Sequence, residues 1–250
     1  MKTIKFKHSG NTGDIIYSLS AIKEICEQEN AKAVLYLFLD KPSSFTDKSH
    51  PVGSVMLNQA MFDMLKPLLE SQYYILDVFE VKKEENAMVD IDLDKFRDEY
   101  KNLSAGDIRM WYGNHLHCTI DMSSPALSIL QESNDYIVIN RTQRYNNPLI
   151  DYSIIEKLNK KVFFVGTETE WKVMNTHFRC EHKKVNDFLE MAKLIAGSSL
   201  FIGNQSMAFA IAEQMNHPRI LEQYFQAPNV IPQGGTYNVF HTQQQFESII

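Results

Sequence analysis

TIKFKHSGNTGDIIYSLSAIKEI, residues 3–25, is the stretch on which the fold turns. Ile4 and Phe6 alternate with polar neighbours, which predicts a strand. Ser9, Gly10, Asn11, Thr12 and Gly13 form a dense turn cluster. From Ile15 the apolar residues fall at Ile15, Ile16, Leu19, Ile22 and Ile25, the spacing of one helical face. The segment therefore reads as strand, tight loop, helix. Asp14 stands where that helix opens, a favourable place for a carboxylate near the positive end of the helix dipole. Open α/β sheets hold their ligands on such loops, at the carboxyl ends of strands. An Asp before a helix is also an ordinary cap. The loop carries neither standard nucleotide fingerprint: no Gly-Lys-Ser/Thr follows it, and Gly10 and Gly13 do not make G-x-G-x-x-G.

Outward from this segment, composition narrows the function classes. A chain of 250 residues holds one large domain or two small ones. With 44% hydrophobic and 22% charged residues it is globular rather than disordered. A formal charge of −6 argues against broad nonspecific binding to nucleic acid. Cys26, Cys118 and Cys180 are far apart and odd in number. They predict neither a disulfide framework nor a C-x-x-C metal site, and they suit a reducing cytoplasm. Cys26 falls inside the first helix, where packing is its expected role. No apolar run approaches the ~18–20 residues of a spanning helix, and no signal peptide is visible, so a cytoplasmic location is expected.

Along the chain, residues 31–40 read as a buried strand, 41–54 as an exposed loop, 55–70 as a helix that Pro67 kinks or shortens, and 73–81 as a strand. The charged stretch 82–102 reads as a solvated surface segment, although its acidic residues also suit a ligand. Residues 107–130 contain His115, His117 and Cys118. Read as a strand, this H-x-H-C cluster puts the two histidines on one face and the cysteine on the other, with no fourth ligand nearby, so a packed pair is expected rather than a metal site. From 135 strand and helix alternate: strand from 135, helix 151–159, strand 160–168, helix 169–176, helix 185–198, strand 199–204, a helix after it, strand 217–222 and helix 242–250. Such alternation predicts a parallel sheet covered on both faces. Two Rossmann-like lobes follow, residues 1–134 and 135–250, with ligands at the strands' carboxyl ends.

Several stretches, in order, resemble the GT-B glycosyltransferases of family 9, the heptosyltransferase-like group. HSGNTGDIIYSLSAIKEI (8–25) is similar to that family's opening strand, Gly-Asp loop and helix. VFFVGTETEW (162–171) is similar to its strand ending in Val-Gly. FLEMAKLIAGSSLFIGNQSMAFAIAEQMNHPRILE (188–222) is similar to its helix, strand, G-N-D-S-G loop, helix and closing strand.

The resemblance implies two Rossmann-like lobes facing across a cleft, the N-terminal one reduced. It implies an inverting, metal-independent transfer of sugar from a nucleotide-diphosphate sugar to an acceptor hydroxyl, with no cofactor. The donor is expected on the C-terminal lobe and the acceptor chiefly on the N-terminal one. Asp14 matches the family's loop carboxylate, its proposed general base. Gly13 beside it is expected among the donor- and phosphate-binding residues. Gly203, Asn204 and Ser206 match the phosphate-side loop, whose amides open a helix. Arg141 and Arg144 lie on the loop after the first C-terminal strand, where the family usually has a basic or hydroxyl residue, and suit a diphosphate leaving group. Glu222 ends the last strand of the motif, where a carboxylate accepts from ribose hydroxyls. The chain departs from the motif at Gln205, Met207 and Ala210, where the family has Asp, Gly and His. That departure motivates the alternative of a nucleotide or nucleotide-sugar binding protein without transferase activity. An oxidoreductase with two such lobes lacks its glycine fingerprint here.

Overall fold

The computed structural model describes residues 1–43, 53–82, 88–99 and 106–250. They form two compact units. The first is drawn from Met1–Leu103, Ile108–Asp121 and Asp187–Leu189, the second from Ser104–Asp107, Met122–Asn186 and Glu190–Ile250.

The first unit opens with β1 (Lys2–His8), α1 (Thr12–Gln28) and β2 (Ala31–Phe38), as the opening segment predicts. α1 buries Ile15, Ile16, Leu19, Ile22 and Cys26 against the sheet residues Ile4, Phe6, Ala33, Leu35 and Leu37. Each fully buried side chain of this size contributes roughly 1.5–3 kcal/mol. Cys26 is packed as expected, and burial pushes its thiol up to about 11. The helix starts at Thr12 behind Asn11, so Gly13 lies in its first turn rather than on the loop.

α2 (Gln59–Glu70) begins later than the apolar spacing suggests, because Asn58 caps it through Met61 N at 2.9 Å. It runs to Glu70 with Pro67 inside. β3 (Ile75–Val81) follows, then β4 (Ile91–Asp92), a 3-10 turn (Leu93–Lys95), α3 (Phe96–Glu99) and α4 (Ile108–His115). Of the predicted loop 41–54, residues 44–52 lie outside the described residues, as do 83–87 and 100–105 around the charged stretch. The four strands are all parallel, in the order β3-β2-β1-β4.

The H-x-H-C stretch is not a strand. His115 ends α4, and His117 is left-handed (φ 53°) in the turn that follows. Trp111 and Tyr112 lie inside α4 and are buried. Among the described residues no group of three or more His, Cys, Asp or Glu is placed to hold a metal ion. Nor is any described helix long and apolar enough to cross a membrane.

The second unit contains β5 (Tyr136–Asn140), a 3-10 helix (Tyr152–Leu158) where an α-helix is expected, and β6 (Lys161–Phe164). α5 (Glu168–His177) starts in a capping box made by Thr167 and Glu170. β7 (Glu181–His182), α6 (Phe188–Ala196), β8 (Leu200–Asn204), α7 (Met207–Gln214), β9 (Arg219–Glu222), β10 (Tyr237–Phe240) and α8 (Gln243–Ile249) complete it. β7 and β10 were not anticipated. Its six parallel strands run β10-β9-β8-β5-β6-β7. Read from the other end, and numbered within the unit, this is the doubly wound order 3-2-1-4-5-6. The core packs Ile137, Ile139, Phe164, Ile202 and Ile220 with Phe240 and Phe246. In both sheets the chain reverses direction beside the first strand, between β1 and β4 and between β5 and β8. Doubly wound sheets bind their ligands at that switch point, outside the carboxyl ends of the strands.

Candidate functional site

In the first unit the switch point is the end of β1. His8, its last residue, is 2% exposed. Its Nδ1 accepts from the Gly10 amide at 2.8 Å, and its Nε2 lies 2.7 Å from the Tyr112 hydroxyl. A backbone amide only donates, so Nδ1 carries no proton and the ring is the neutral Nε2–H form. Burial lowers the His8 pKa against the pull of Asp94 and Asp14. Gly10 has no room for a side chain: a Cβ there would lie 2.6 Å from His8 Cε1 and 3.1 Å from both Arg97 and Asp14.

Asp14 stands in the first turn of α1, and its half-buried carboxylate accepts from the Arg97 guanidinium. Asp94 accepts from the Ser9 amide at 2.9 Å and from the Ser9 hydroxyl. Lys41 donates to Ser9 Oγ at 2.9 Å and lies 3.7 Å from Asp94. Burial alone would raise the Asp94 pKa. The Ser9 donors and Lys41 act against it, and the carboxyl is held below its usual range. Burial works against the Arg97 charge, but Asp14 more than compensates and raises its pKa. The result is a loop with a carboxylate on its helix side, a cation beside that carboxylate, and a neutral imidazole beneath.

Asp14 was legible in the sequence. Asp94, Arg97, Lys41 and Tyr112 were not. Asp94 and Arg97 come from the stretch read as solvated surface, and the 3-10 turn and α3 carry them back to the loop. The weak signal was the acidic spacing of Asp90, Asp92 and Asp94 flanking a β-branched strand residue, Ile91. Asp90 and Asp92 serve the backbone and Lys7: Asp90 accepts from Lys5 N at 2.8 Å, Asp92 from Lys7 Nζ at 3.1 Å and from Asp94 N at 3.0 Å.

In the second unit the predicted residues gather at the ends of β5, β8 and β9. Arg141 and Glu222 pair through two hydrogen bonds, Nε–Oε2 at 2.6 Å and a second to Oε1 at 2.9 Å. Glu222 is 1% exposed. It also accepts from Asn147 N at 2.6 Å and from the Tyr152 hydroxyl at 2.8 Å, and the Arg141 guanidinium lies over the Tyr152 ring at 4.6 Å. Burial opposes the Arg141 charge, and the Glu222 hydrogen bonds reverse that and raise its pKa. Both residues thus tie the 141–147 loop to β9, and Glu222 already accepts four hydrogen bonds from protein.

Asn204 ends β8 fully buried. Its Oδ1 accepts from Thr142 N at 2.9 Å, and its Nδ2 donates to the Thr142 and Tyr145 carbonyls at 2.8 Å. Gln205 accepts from Tyr224 N at 2.7 Å and donates to Ala227 O and Asn229 Oδ1, each at 2.7 Å. Ser206 caps α7 through Phe209 N at 3.2 Å. Gly203 lies within β8, where a Cβ would meet Asn140 O at 2.6 Å, so close strand packing accounts for it. Arg144 is exposed on the 141–147 loop, its guanidinium 4.4 Å from the Tyr145 ring centre. Of the predicted donor residues, Arg144 is therefore exposed and Ser206 caps the amino end of α7, while Arg141, Asn204 and Glu222 build the loop.

No protein-family model matches the sequence, and no curated protein does. Solved structures do match the fold. A family 9 glycosyl transferase from Veillonella parvula superposes with a TM-score of 0.65 at 10% identity, covering 99% of this chain and 88% of its own. The E. coli heptosyltransferase WaaC, solved with ADP-2-deoxy-2-fluoro heptose, gives 0.64 at 8% identity, covering 99% and 98%. E. coli ADP-heptose lps heptosyltransferase II gives 0.58 at 12% identity, covering 99% and 97%. At these identities the likeness concerns fold. The chain has the mixed α/β GT-B architecture of the family 9 heptosyltransferases, as the sequence resemblance implies.

Proposed function

We propose that this chain is a glycosyltransferase that moves a sugar from a nucleotide-diphosphate donor to an acceptor hydroxyl, inverting the anomeric centre and working without a metal. The observation that carries the reading is Asp14: a carboxylate in the first turn of α1, at the switch point of the first sheet, positioned by Arg97. The fold shared with family 9 glycosyltransferases over 99% of the chain supports it. In this reading Asp14 takes the proton of the acceptor hydroxyl. The hydroxyl oxygen bonds to the anomeric carbon as the carbon–oxygen bond to the terminal phosphate breaks, and the nucleoside diphosphate leaves with that electron pair. The α7 amino end and Arg144 supply positive charge for the leaving group. Arg97 fixes the direction of the accepting oxygen, and His8, held neutral, shapes the loop that carries it.

The test compares wild type with Asp14→Asn across a panel of nucleotide sugars and hydroxyl acceptors. Transfer should fall by about a hundredfold or more, since a positioned base contributes roughly 10²–10⁴. Affinity for the nucleoside diphosphate should stay within about twofold. Equal turnover in the two proteins removes Asp14 as the base. A second reading, nucleotide-sugar binding without transfer, is favoured by the way Asn204 and Gln205 spend their amides on neighbouring loops. Donor binding by wild type with neither transfer nor hydrolysis anywhere in the panel would support it.

A further inference from the structure

Two consecutive buried amides in the second unit have an unusual assignment. Asn204 holds the loop after β5 through the Tyr145 carbonyl, and Gln205 holds the loop after β9 through the Tyr224 amide. Both are more than nine-tenths buried, and every polar atom of both side chains is engaged. Each loop carries a tyrosine to the same place. The Tyr145 and Tyr224 ring centres are 5.9 Å apart, with their planes inclined at 47°. Phe225 extends the group at 5.5 Å from Tyr224 and is 63% exposed. Arg144 lies over the Tyr145 ring, its guanidinium 4.4 Å from the ring centre. The Tyr224 hydroxyl lies 2.7 Å from Gln226 Oε1 and donates to it, which fixes the rotation of that hydroxyl.

Packing alone does not explain this. A loop that needed only to be closed would bury its aromatic residues, whereas here Phe225 stands in water and both tyrosines are only partly buried. The cluster sits at the carboxyl ends of β5, β8 and β9, the ligand-bearing edge of a doubly wound sheet, with a guanidinium beside it. Aromatic faces at such a place stack on rings, and a neighbouring arginine pairs with phosphate.

We propose that Tyr145, Tyr224 and Phe225 form a stacking face for a ring of the bound nucleotide sugar, with Arg144 pairing its phosphate, and that Gln205 stands in place of the family's aspartate to hold Tyr224 there. This rests on the donor reading above and adds the residues that recognise the ring. The ring is either the nucleobase or the sugar.

Titration calorimetry on the full chain decides it, with three probes: a nucleoside diphosphate (ADP or UDP), the corresponding nucleotide sugar, and glucose 1-phosphate. Tyr224→Leu should weaken the ring-bearing ligand about tenfold. Tyr224→Phe, which keeps the ring, should hold within about twofold of wild type. Phe225→Ala, at an exposed position, keeps the test valid if Tyr224→Leu does not fold, and should weaken binding several-fold. Equal losses for diphosphate and nucleotide sugar identify the base as the stacked ring. A loss confined to the two sugar-bearing probes identifies the sugar. Unchanged affinity for every probe in both Tyr224→Leu and Phe225→Ala overturns the stacking face and leaves the transferase reading standing. A wild-type protein that binds none of the probes overturns both.

Discussion

Arg97 and His8 act on the Asp14 loop in different ways. Arg97 gives the carboxylate a direction, and His8 gives the loop a shape. The second effect is steric as much as electrostatic. His8 is fixed from both ring nitrogens, so it cannot retreat from a side chain placed on Gly10. Gly10→Ala puts a methyl 2.6 Å from His8 Cε1. The expected cost is about 1–3 kcal/mol, as for other overpacked sites, read from urea midpoints. Transfer activity should fall with it, because the shift propagates to Asp14. A second histidine contributes to the acid response of the other unit. His217 lies 2.9 Å from Ser198 Oγ, and burial, then the Arg219 charge, draw its pKa down to about 4. Its folded value lies below its unfolded one. The unfolded chain therefore takes up the proton first, and stability present above pH 6.5 is lost as pH falls toward 4. The loss attributable to this residue is at most about 3 kcal/mol. Urea unfolding at pH 7.5 and 4.5 should show a smaller pH difference in His217→Gln than in wild type.

At the scale of elements, short polar ties decide where strands hand over to loops. Gln205 shows how specific these are. Its acceptor meets an amide and its donors meet two oxygens, so only a carboxamide satisfies all three partners. Gln205→Glu keeps the size but turns the donors into an oxygen facing Ala227 O and Asn229 Oδ1. A loss of about 1–3 kcal/mol is expected in chemical denaturation, the cost of unsatisfied buried polar groups, together with weaker nucleotide binding as Tyr224 is released. The aspartate of the family motif would also carry no donor and would be a methylene shorter, which is why the departure at Gln205 is structural. The periodic elements were legible in the sequence because each buries a regular face: α1, β2, β5 and β8 lie within a few residues of their expected positions. What the sequence concealed were elements without periodicity. β10 has only Phe240 fully buried in its four residues, and β7 is two residues long. α4 was not legible: the histidine spacing was weighed in strand geometry, whereas His115 ends a helix that buries Trp111 and Tyr112 in the core. Half the first site was hidden for a related reason. Its partners are distant in the chain, Arg97 reaching Asp14 and Asp94 reaching Ser9, and single-sequence patterning is blind to such pairings.

At the scale of the whole chain, one topology is used twice. Both sheets place the second and third strands on one side of the first and send the fourth to the other. His8 and Asn140 are equivalent residues in that plan, each ending the first strand of its sheet, and each begins a loop that carries a candidate function. The division of labour proposed here, acceptor chemistry on the first unit and donor binding on the second, has a built-in reporter. The chain has two tryptophans, and each unit holds one. Trp111 is stacked on Phe96 in the first unit. Trp171 is stacked on His182, with its indole N–H donating to Cys180 O at 3.1 Å, in the second. Trp111→Phe therefore leaves a fluorescence probe of the second unit, and Trp171→Phe a probe of the first. A nucleoside diphosphate at about a hundred times its dissociation constant should stabilise the unit that binds it by about 2.7 kcal/mol. The Trp171 transition is expected to move by that amount. The Trp111 transition should move only as far as the two units unfold together. A shift confined to Trp111 would place the nucleotide on the first unit and reverse the assignment.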